Sequence, residues 1–395
     1  MGKHLYSTML SGEICSSEGA LIRDLKYLIK EERELDDQVR EFFPLEAYGE
    51  LDEELKIRGS RELLAAFDQI DAEKQDFIET LENIELIGFS DKNQIILRFK
   101  KDDLNATGIY NFTYEFLNDL FDMGMFSKFC LERGYTDLLR ENIEELFEKL
   151  KTEKRQYRLI KHQDDWFLRG ITSTRYNNYD NHLAIYLILL ALHSYAKKNK
   201  TFFIIEKAYM SDSEIKVFFQ LENPIVVPGV GEVYFGALLS NNEIRDKTFS
   251  LELRYKIVDK TNNFSFGAVS KLEDAVFNIN HSTSVNNVRE KIQNVFNLEE
   301  YKNLMLGYIN ELKHVSTLSA DVIYLLFKKI TNSKQKLSTQ TKKKAKDLYD
   351  KNLINNTMNL IELFNRVSEI TSDVEESIYL ERIYHEVILE LSSKN

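Results

Sequence analysis

Phe249-Ser-Leu-Glu-Leu-Arg-Tyr-Lys-Ile257 is the stretch whose reading decides the fold. Successive side chains of an extended chain point to opposite faces. Phe249, Leu251, Leu253, Tyr255 and Ile257 therefore share one face, and Ser250, Glu252, Arg254 and Lys256 the other. Such alternation predicts an antiparallel sheet with one face on the core and one in water. The preceding segments continue the pattern. Glu232 to Ser240 reads as a strand after the turn Pro228-Gly229-Val-Gly231. Phe202-Phe-Ile-Ile and Ile215-Lys-Val-Phe-Phe read as two more strands, separated by Met210-Ser-Asp-Ser213. Tyr157-Arg-Leu-Ile-Lys and Asp165 to Thr172 read as a hairpin.

Between these strands, a helix is predicted over 181–197. Its apolar run Leu183 to Leu192 is too short to span a bilayer and reads as buried. Residues 14–83 are acidic, with apolar residues at helical spacing (Leu21, Leu25, Leu28, Ile29; Leu63, Leu64, Phe67, Ile70). Glu85-Leu-Ile-Gly-Phe and Gln94-Ile-Ile-Leu-Arg-Phe form a short hairpin around Ser90-Asp-Lys-Asn93. Helices follow from about 111 to 154, and again from about 284 to the end. A helix is predicted from Thr341 to Val367. Ser372-Asp-Val-Glu375 reads as a capping box that starts the last helix. A coiled coil is disfavoured there, because Glu381 and His385 interrupt the apolar seam.

The expected fold class is thus α+β, with a mixed, largely antiparallel sheet, packed helices, and helical N- and C-terminal regions. The expected organisation is an acidic helical region with a short hairpin over 1–104, an α+β core over 105–285 and a helical region over 286–395.

Composition narrows the function classes. The chain has 395 residues, net charge -12 and only 3 Pro and 15 Gly, which excludes collagen-like and linker-rich classes. Such an acidic surface disfavours non-specific adsorption to DNA or membranes but leaves room for a local basic patch. Two cysteines, Cys15 and Cys130, build no disulfide framework, and no signal-peptide pattern opens the chain. The expected location is cytoplasmic, away from membranes.

The stretch Arg169-Gly-Ile-Thr-Ser-Thr-Arg-Tyr-Asn-Asn-Tyr-Asp-Asn181, with Phe116-Leu-Asn-Asp-Leu and Gly134-Tyr135 before it, resembles the phage- and plasmid-associated family called "domain of unknown function 932". Gly236-Ala-Leu-Leu-Ser-Asn-Asn-Glu243, Leu253-Arg-Tyr255 and Thr261-Asn-Asn263 resemble its second motif. The family's Cys and Gly in that last turn are missing here. The resemblance covers about 105–285 and implies a mobile-element setting, not an activity.

Within these motifs Arg169, Arg175, Tyr176 and Arg254 are candidate nucleic-acid contacts. Arginine offers planar donors to phosphate and tyrosine stacks on bases. Ser173, Asp180, Asn181, Asn241 and Glu243 are candidate structural residues, with Asp180 or Asn181 capping the following helix and Arg169 or Arg175 pairing with Asp180 or Glu243. The strongest electrostatic signal is the run Lys328 to Lys346, with eight lysines and no acid. Lys342, Lys343, Lys344 and Lys346 there are candidate phosphate contacts through counterion release; the bland reading is a solvated loop and helix start. Seven histidines, including His182, His193 and His314, show no metal-ligand spacing, and no nucleophile or phosphate-loop motif occurs.

The leading expectation is a non-enzymatic phage or mobile-element accessory protein that binds DNA or RNA through a basic-aromatic patch. The alternative is a protein that binds and inhibits a host defence factor through its acidic helices or aromatic surface. A carboxylate-based nuclease or hydrolase stands third. No cofactor or metal is expected, and the C-terminal helices are a route to a homo-oligomer.

Overall fold

The computed structural model describes residues 4–11, 18–31, 33–244, 248–271, 275–312, 320–350 and 360–392. Cys15, His314 and the middle of the helix expected over Thr341–Val367 lie outside these residues.

The chain runs β1 (Ser7–Ser11), α1 (Glu34–Phe42), β2 (Ile57–Arg58), α2 (Ser60–Asp68), β3 (Lys74–Thr80), β4 (Ile84–Phe89), β5 (Ile95–Phe99) and β6 (Leu104–Gly108). Three helices follow, α3 (Phe112–Phe121), α4 (Gly124–Arg133) and α5 (Thr136–Lys149). The hairpin β7 (Lys154–His162) and β8 (Asp165–Thr172) leads into α6 (Asn181–Asn199). Seven strands come next: β9 (Phe203–Ser211), β10 (Glu214–Leu221), β11 (Ile225–Val227), β12 (Gly231–Asn242), β13 (Phe249–Asp259), β14 (Phe264–Val269) and β15 (Phe277–Ile279). The rest is helical: α7 (Val285–Ile292), α8 (Leu298–Glu311), α9 (Ala320–Thr331), α10 (Thr339–Asp350), α11 (Leu360–Ser368) and α12 (Val374–Ser392).

The fold is α+β, with two sheets rather than one. The larger has nine strands built on the order β1-β9-β10-β12-β13-β14, with β2, β11 and β15 at its margins, and only the β2–β9 pair is parallel. The smaller has the order β3-β7-β8-β6-β5-β4, with β6–β8 its one parallel pair. The smaller sheet crosses the 104/105 boundary expected from sequence, which falls inside β6. Residues 74–80, expected within a helical region, form β3 instead and pair with β7 from Lys74↔Ile160 to Thr80↔Lys154. Pairing with a strand far along the chain decides this, and local periodicity carries no sign of it.

Ile22, Leu25 and Leu28 are buried on a 3₁₀ segment, not an α-helix. Their spacing of three matches three residues per turn. Helix α6 is buried almost all round and lies in the main core with α1, α7 and the larger sheet. Such a helix shows no polar face because it meets no water.

The face of β13 expected to be wet is dry. Ser250, Glu252 and Arg254 are buried and Lys256 is half-buried, with α12 reaching Glu252 and Arg254. Arg254 Nε and Nη2 donate to Glu381 Oε2 and Oε1 at 2.8 and 2.9 Å, and Arg382 Nη2 donates to both oxygens of Glu252 at 3.0 and 2.7 Å. His385 Nδ1 lies 3.3 Å from the Tyr255 hydroxyl. Of the two residues that spoiled a coiled-coil seam, Glu381 thus matches the polar face of β13, and His385 meets Tyr255. The apolar stripes of α11 and α12 pack inside the chain, with Phe364 stacked on Tyr384 and both against Phe266. The cap of α12 is Asp373, whose Oδ1 accepts from Glu376 N at 3.0 Å, one residue beyond the expected Ser372.

Candidate functional site

The two motif stretches meet in one buried junction between the sheets. Strand β8 carries Arg169 to the start of the loop 173–180, and β12 ends at Asn242 with Glu243 just beyond. Arg169 donates to the Glu243 carboxylate, and both side chains are fully enclosed. Asn241 Nδ2 donates to Tyr179 O at 3.0 Å and Asn181 Oδ1 at 2.9 Å.

The start of α6 is capped from a distant strand. Asn181 N donates to Glu243 Oε1 at 2.9 Å, so neither Asp180 nor Asn181 supplies the expected side-chain cap. A carboxylate at a helix N-terminus also meets the favourable end of the helix dipole. Asp180 is left for arginines. Arg158 Nη2 reaches its two oxygens at 2.7 and 2.8 Å, Arg33 reaches it at 3.2 Å and Arg169 lies 4.0 Å away. Asp76 accepts from Arg158 Nε at 3.1 Å and from Asn178 at 2.7 Å, and Lys74 Nζ donates to Glu243 at 2.9 Å.

Charge balance explains how these groups tolerate burial. Burial alone would raise the Asp180 carboxyl, but Arg158, Arg33 and Arg169 hold it well below the usual carboxylate range. Glu243 feels burial and Asp180 pushing up, yet Lys74, Arg169 and Arg158 hold it low as well. Arg33, Lys74, Arg158 and Arg169, with Lys30 at the rim, face Asp71, Asp76, Asp180 and Glu243. Sequence reasoning missed Arg158. It lies across from Gly170 in β8, where Ile244 takes the space that a side chain would fill, and nothing local in the sequence marks it.

The loop aromatics are also engaged. Tyr176 stacks on His281 with ring centroids 4.4 Å apart, and burial raises its hydroxyl pKa. Tyr179 is buried and donates to Thr283 O at 2.8 Å, and Asn177 N donates to His281 O at 2.6 Å. The expected open patch of Arg169, Tyr176 and Arg254 therefore does not exist. Arg169 and Arg254 are sealed in ion pairs, and Tyr176 is packed against the 281–283 segment. Ser173 and Arg175 are exposed at the loop tip, and Arg175 has no ion-pair partner among the described residues.

The lysine run sits on the surface. Lys328 lies over the exposed Tyr324 ring, and Lys334, Lys336, Lys343, Lys344 and Lys346 are exposed. Lys329 pairs with Glu386 and Glu390 of α12 at 2.8 and 3.0 Å. Lys342 bonds to Lys334 O, and Lys344 Nζ donates to Ile370 O at 3.0 Å. Lys334, Lys336, Lys343 and Lys346 make no ion pair among the described residues. The α9–α10 turn is anchored beneath them by buried Ser333 and Leu337 and by Glu376, which accepts from Ser338 N and the Thr341 and Thr371 hydroxyls.

A Ser-His-Asp grouping near the N-terminus lacks the geometry of a nucleophile. His4 Nδ1 lies 3.0 Å from Ser213 Oγ and 3.7 Å from Asp212 Oδ1. A relay needs serine and aspartate on opposite ring nitrogens, and here both approach the same one. Among the described residues no three His, Cys, Asp or Glu side chains are placed to hold a metal, and no helix is long and apolar enough to cross a membrane. No family model, curated protein or solved structure matches this chain.

Proposed function

We propose that the protein is a non-enzymatic, cytoplasmic accessory protein of mobile elements that binds nucleic acid through the lysine-rich surface of α9 and α10. One observation carries this reading. Lys334, Lys336, Lys343 and Lys346 stand exposed, with no ion pair among the described residues, in a chain of net charge -12. Lysines in the first turns of a helix oppose its dipole, so their placement at the start of α10 does nothing for helix stability. Concentrated positive charge of this kind favours phosphate through counterion release. The residue assignment moves accordingly. Arg169 and Arg254 are structural, Lys342 and Lys344 are bonded to carbonyls, and the contacts fall to Lys334, Lys336, Lys343 and Lys346, with Lys328 and Arg175 as outlying donors.

The test is binding of labelled single- and double-stranded DNA and RNA across a salt series. Affinity should fall steeply with salt, and a variant with Lys334, Lys336, Lys343 and Lys346 changed to Ala should lose most of it. No binding at low salt, or binding indifferent to the four replacements, sinks the reading.

A further inference from the structure

Helix α4 is amphipathic the wrong way round. Its buried face is small, with Gly124, Ser127 and Cys130 at spacing three, and its outer face is large and apolar, with Met125, Phe126 and Phe129. Met125 is 72% exposed and Phe129 51%. The orientation is locked. A Cβ on Gly124 would lie 2.7 Å from the Tyr114 ring, so α4 meets α3 at a distance only this face allows. Tyr135 and Leu138 at the start of α5, 51% and 47% exposed, continue the patch, with the Phe129 and Tyr135 ring centroids 5.9 Å apart. Elsewhere among the described residues, exposed large apolar side chains do not gather over two consecutive helices in this way. A contiguous patch of this type marks an interaction surface, where scattered single residues carry no meaning.

The rim supplies the charge. From Asp119 to Glu148 there are eight acids and three bases. Asp122, Asp137 and Glu141 are exposed and make no ion pair among the described residues, while Arg140 is turned onto Ile87 O and Lys128 lies 3.9 Å from Glu132. Methionine and aromatic side chains adapt to a varied apolar face, and unpaired acids around them select a basic one. We propose that the α4–α5 face is a docking surface for a basic amphipathic helix of a partner protein. The apolar stripe of that helix would cover Met125, Phe129, Tyr135 and Leu138, and its lysines or arginines would meet Asp122, Asp137 and Glu141. This surface is separate from the lysines of α9 and α10.

The test uses the full chain and two labelled helical peptides, one amphipathic Leu/Lys and one amphipathic Leu/Glu. The Leu/Lys peptide should bind, and the Leu/Glu peptide should not. Replacing Phe129 and Tyr135 together by Ser should weaken binding by about tenfold or more, the scale of a buried aromatic anchor. A second variant with Asp137→Lys and Glu141→Lys should weaken the Leu/Lys peptide and admit the Leu/Glu one. The Lys343→Ala/Lys346→Ala variant should bind the Leu/Lys peptide like the unmodified chain, which separates this surface from the nucleic-acid reading. Equal binding of both peptides, or binding unchanged by both sets of α4–α5 replacements, overturns the proposal. So does sedimentation showing a self-associated chain that Phe129→Ser/Tyr135→Ser makes monomeric, because a second copy would then be the occupant.

Discussion

Arg254 and Glu381 form a two-pronged ion pair, at 2.8 and 2.9 Å, that fastens the last helix to the polar face of strand β13. Glu206 also bonds to this guanidinium. Arg254→Ala would leave Glu381 enclosed without its partner and Glu206 with Lys256 alone. The expected loss is about 3–5 kcal/mol of unfolding free energy, the range for breaking one side of a buried pair. Replacing the pair together, Arg254→Met with Glu381→Leu, should restore most of it. Urea denaturation of the three variants checks both statements.

Acid should unfold the chain through its buried carboxylates. Asp180, Glu243 and Glu206 all have folded pKa values below their unfolded ones. For Glu206, burial pushes upward, but Arg254 and Lys256 win and hold it at about 2. A depressed carboxyl stabilises fully above its unfolded pKa, and the stability is lost as pH falls through the folded value. The urea midpoint should therefore drop steeply between about pH 4.5 and 2. The Glu206→Gln variant should start lower and fall less over that window.

A second, earlier slope should come from His193. Burial lowers its pKa to about 4, against a smaller upward pull from Glu53. Lys56 N donates to its Nδ1 at 3.0 Å, which requires that nitrogen unprotonated. Between about pH 6.5 and 4 the unfolded chain takes up a proton that the folded chain refuses, so stability falls as pH falls. His193→Asn should flatten the urea midpoint in this window and leave the lower one in place.

Much of this architecture was legible in the sequence, and the failures share one cause. Segments set by local pattern read correctly: the alternating β13, the apolar α6, and the hairpin β7–β8. What non-local contacts decide did not. Nothing in Lys74–Thr80 announces that it pairs with β7, and nothing in Glu252 and Arg254 announces that α12 reaches them. Polar residues on a strand read as water-facing because water is their usual partner. Here the partners are Glu381 and Arg382, more than a hundred residues away. At the junction, Arg169 and Glu243 were legible as partners, but Arg158 was not. The exposed apolar face of α4 carries no signal in the sequence, because packing against α3 decides which side of that helix faces water.

The salt dependence of nucleic-acid binding should resolve individual lysines. Each lysine that neutralises a phosphate contributes about 0.9 to the slope of log affinity against log salt on duplex DNA. Lys343→Ala and Lys346→Ala should each lower the slope by about one. Arg175→Ala should lower it only if the loop tip reaches the same duplex. Arg254→Met with Glu381→Leu should leave it unchanged.

Glu376 gives a way to disturb the lysine surface without touching a lysine. Its carboxylate gathers Ser338 N, the Thr341 hydroxyl and the Thr371 hydroxyl, and so ties the start of α10 to the start of α12. Burial alone would raise its pKa, but the bonds from Thr341, Thr371 and Ser338 hold it below the usual range. Glu376→Ala would leave two donors at the α10 N-terminus, and the Thr371 hydroxyl before α12, without their acceptor, at a cost of about 1–3 kcal/mol. The cost is local, because α10 packs chiefly on α9. Amide exchange should speed up across 334–346 and stay slow in β12 and β13. Nucleic-acid affinity should fall with the charge unchanged, because the lysines are then no longer held in one arrangement. Unaltered exchange in 334–346 would show that the lysine surface is held by α9 alone.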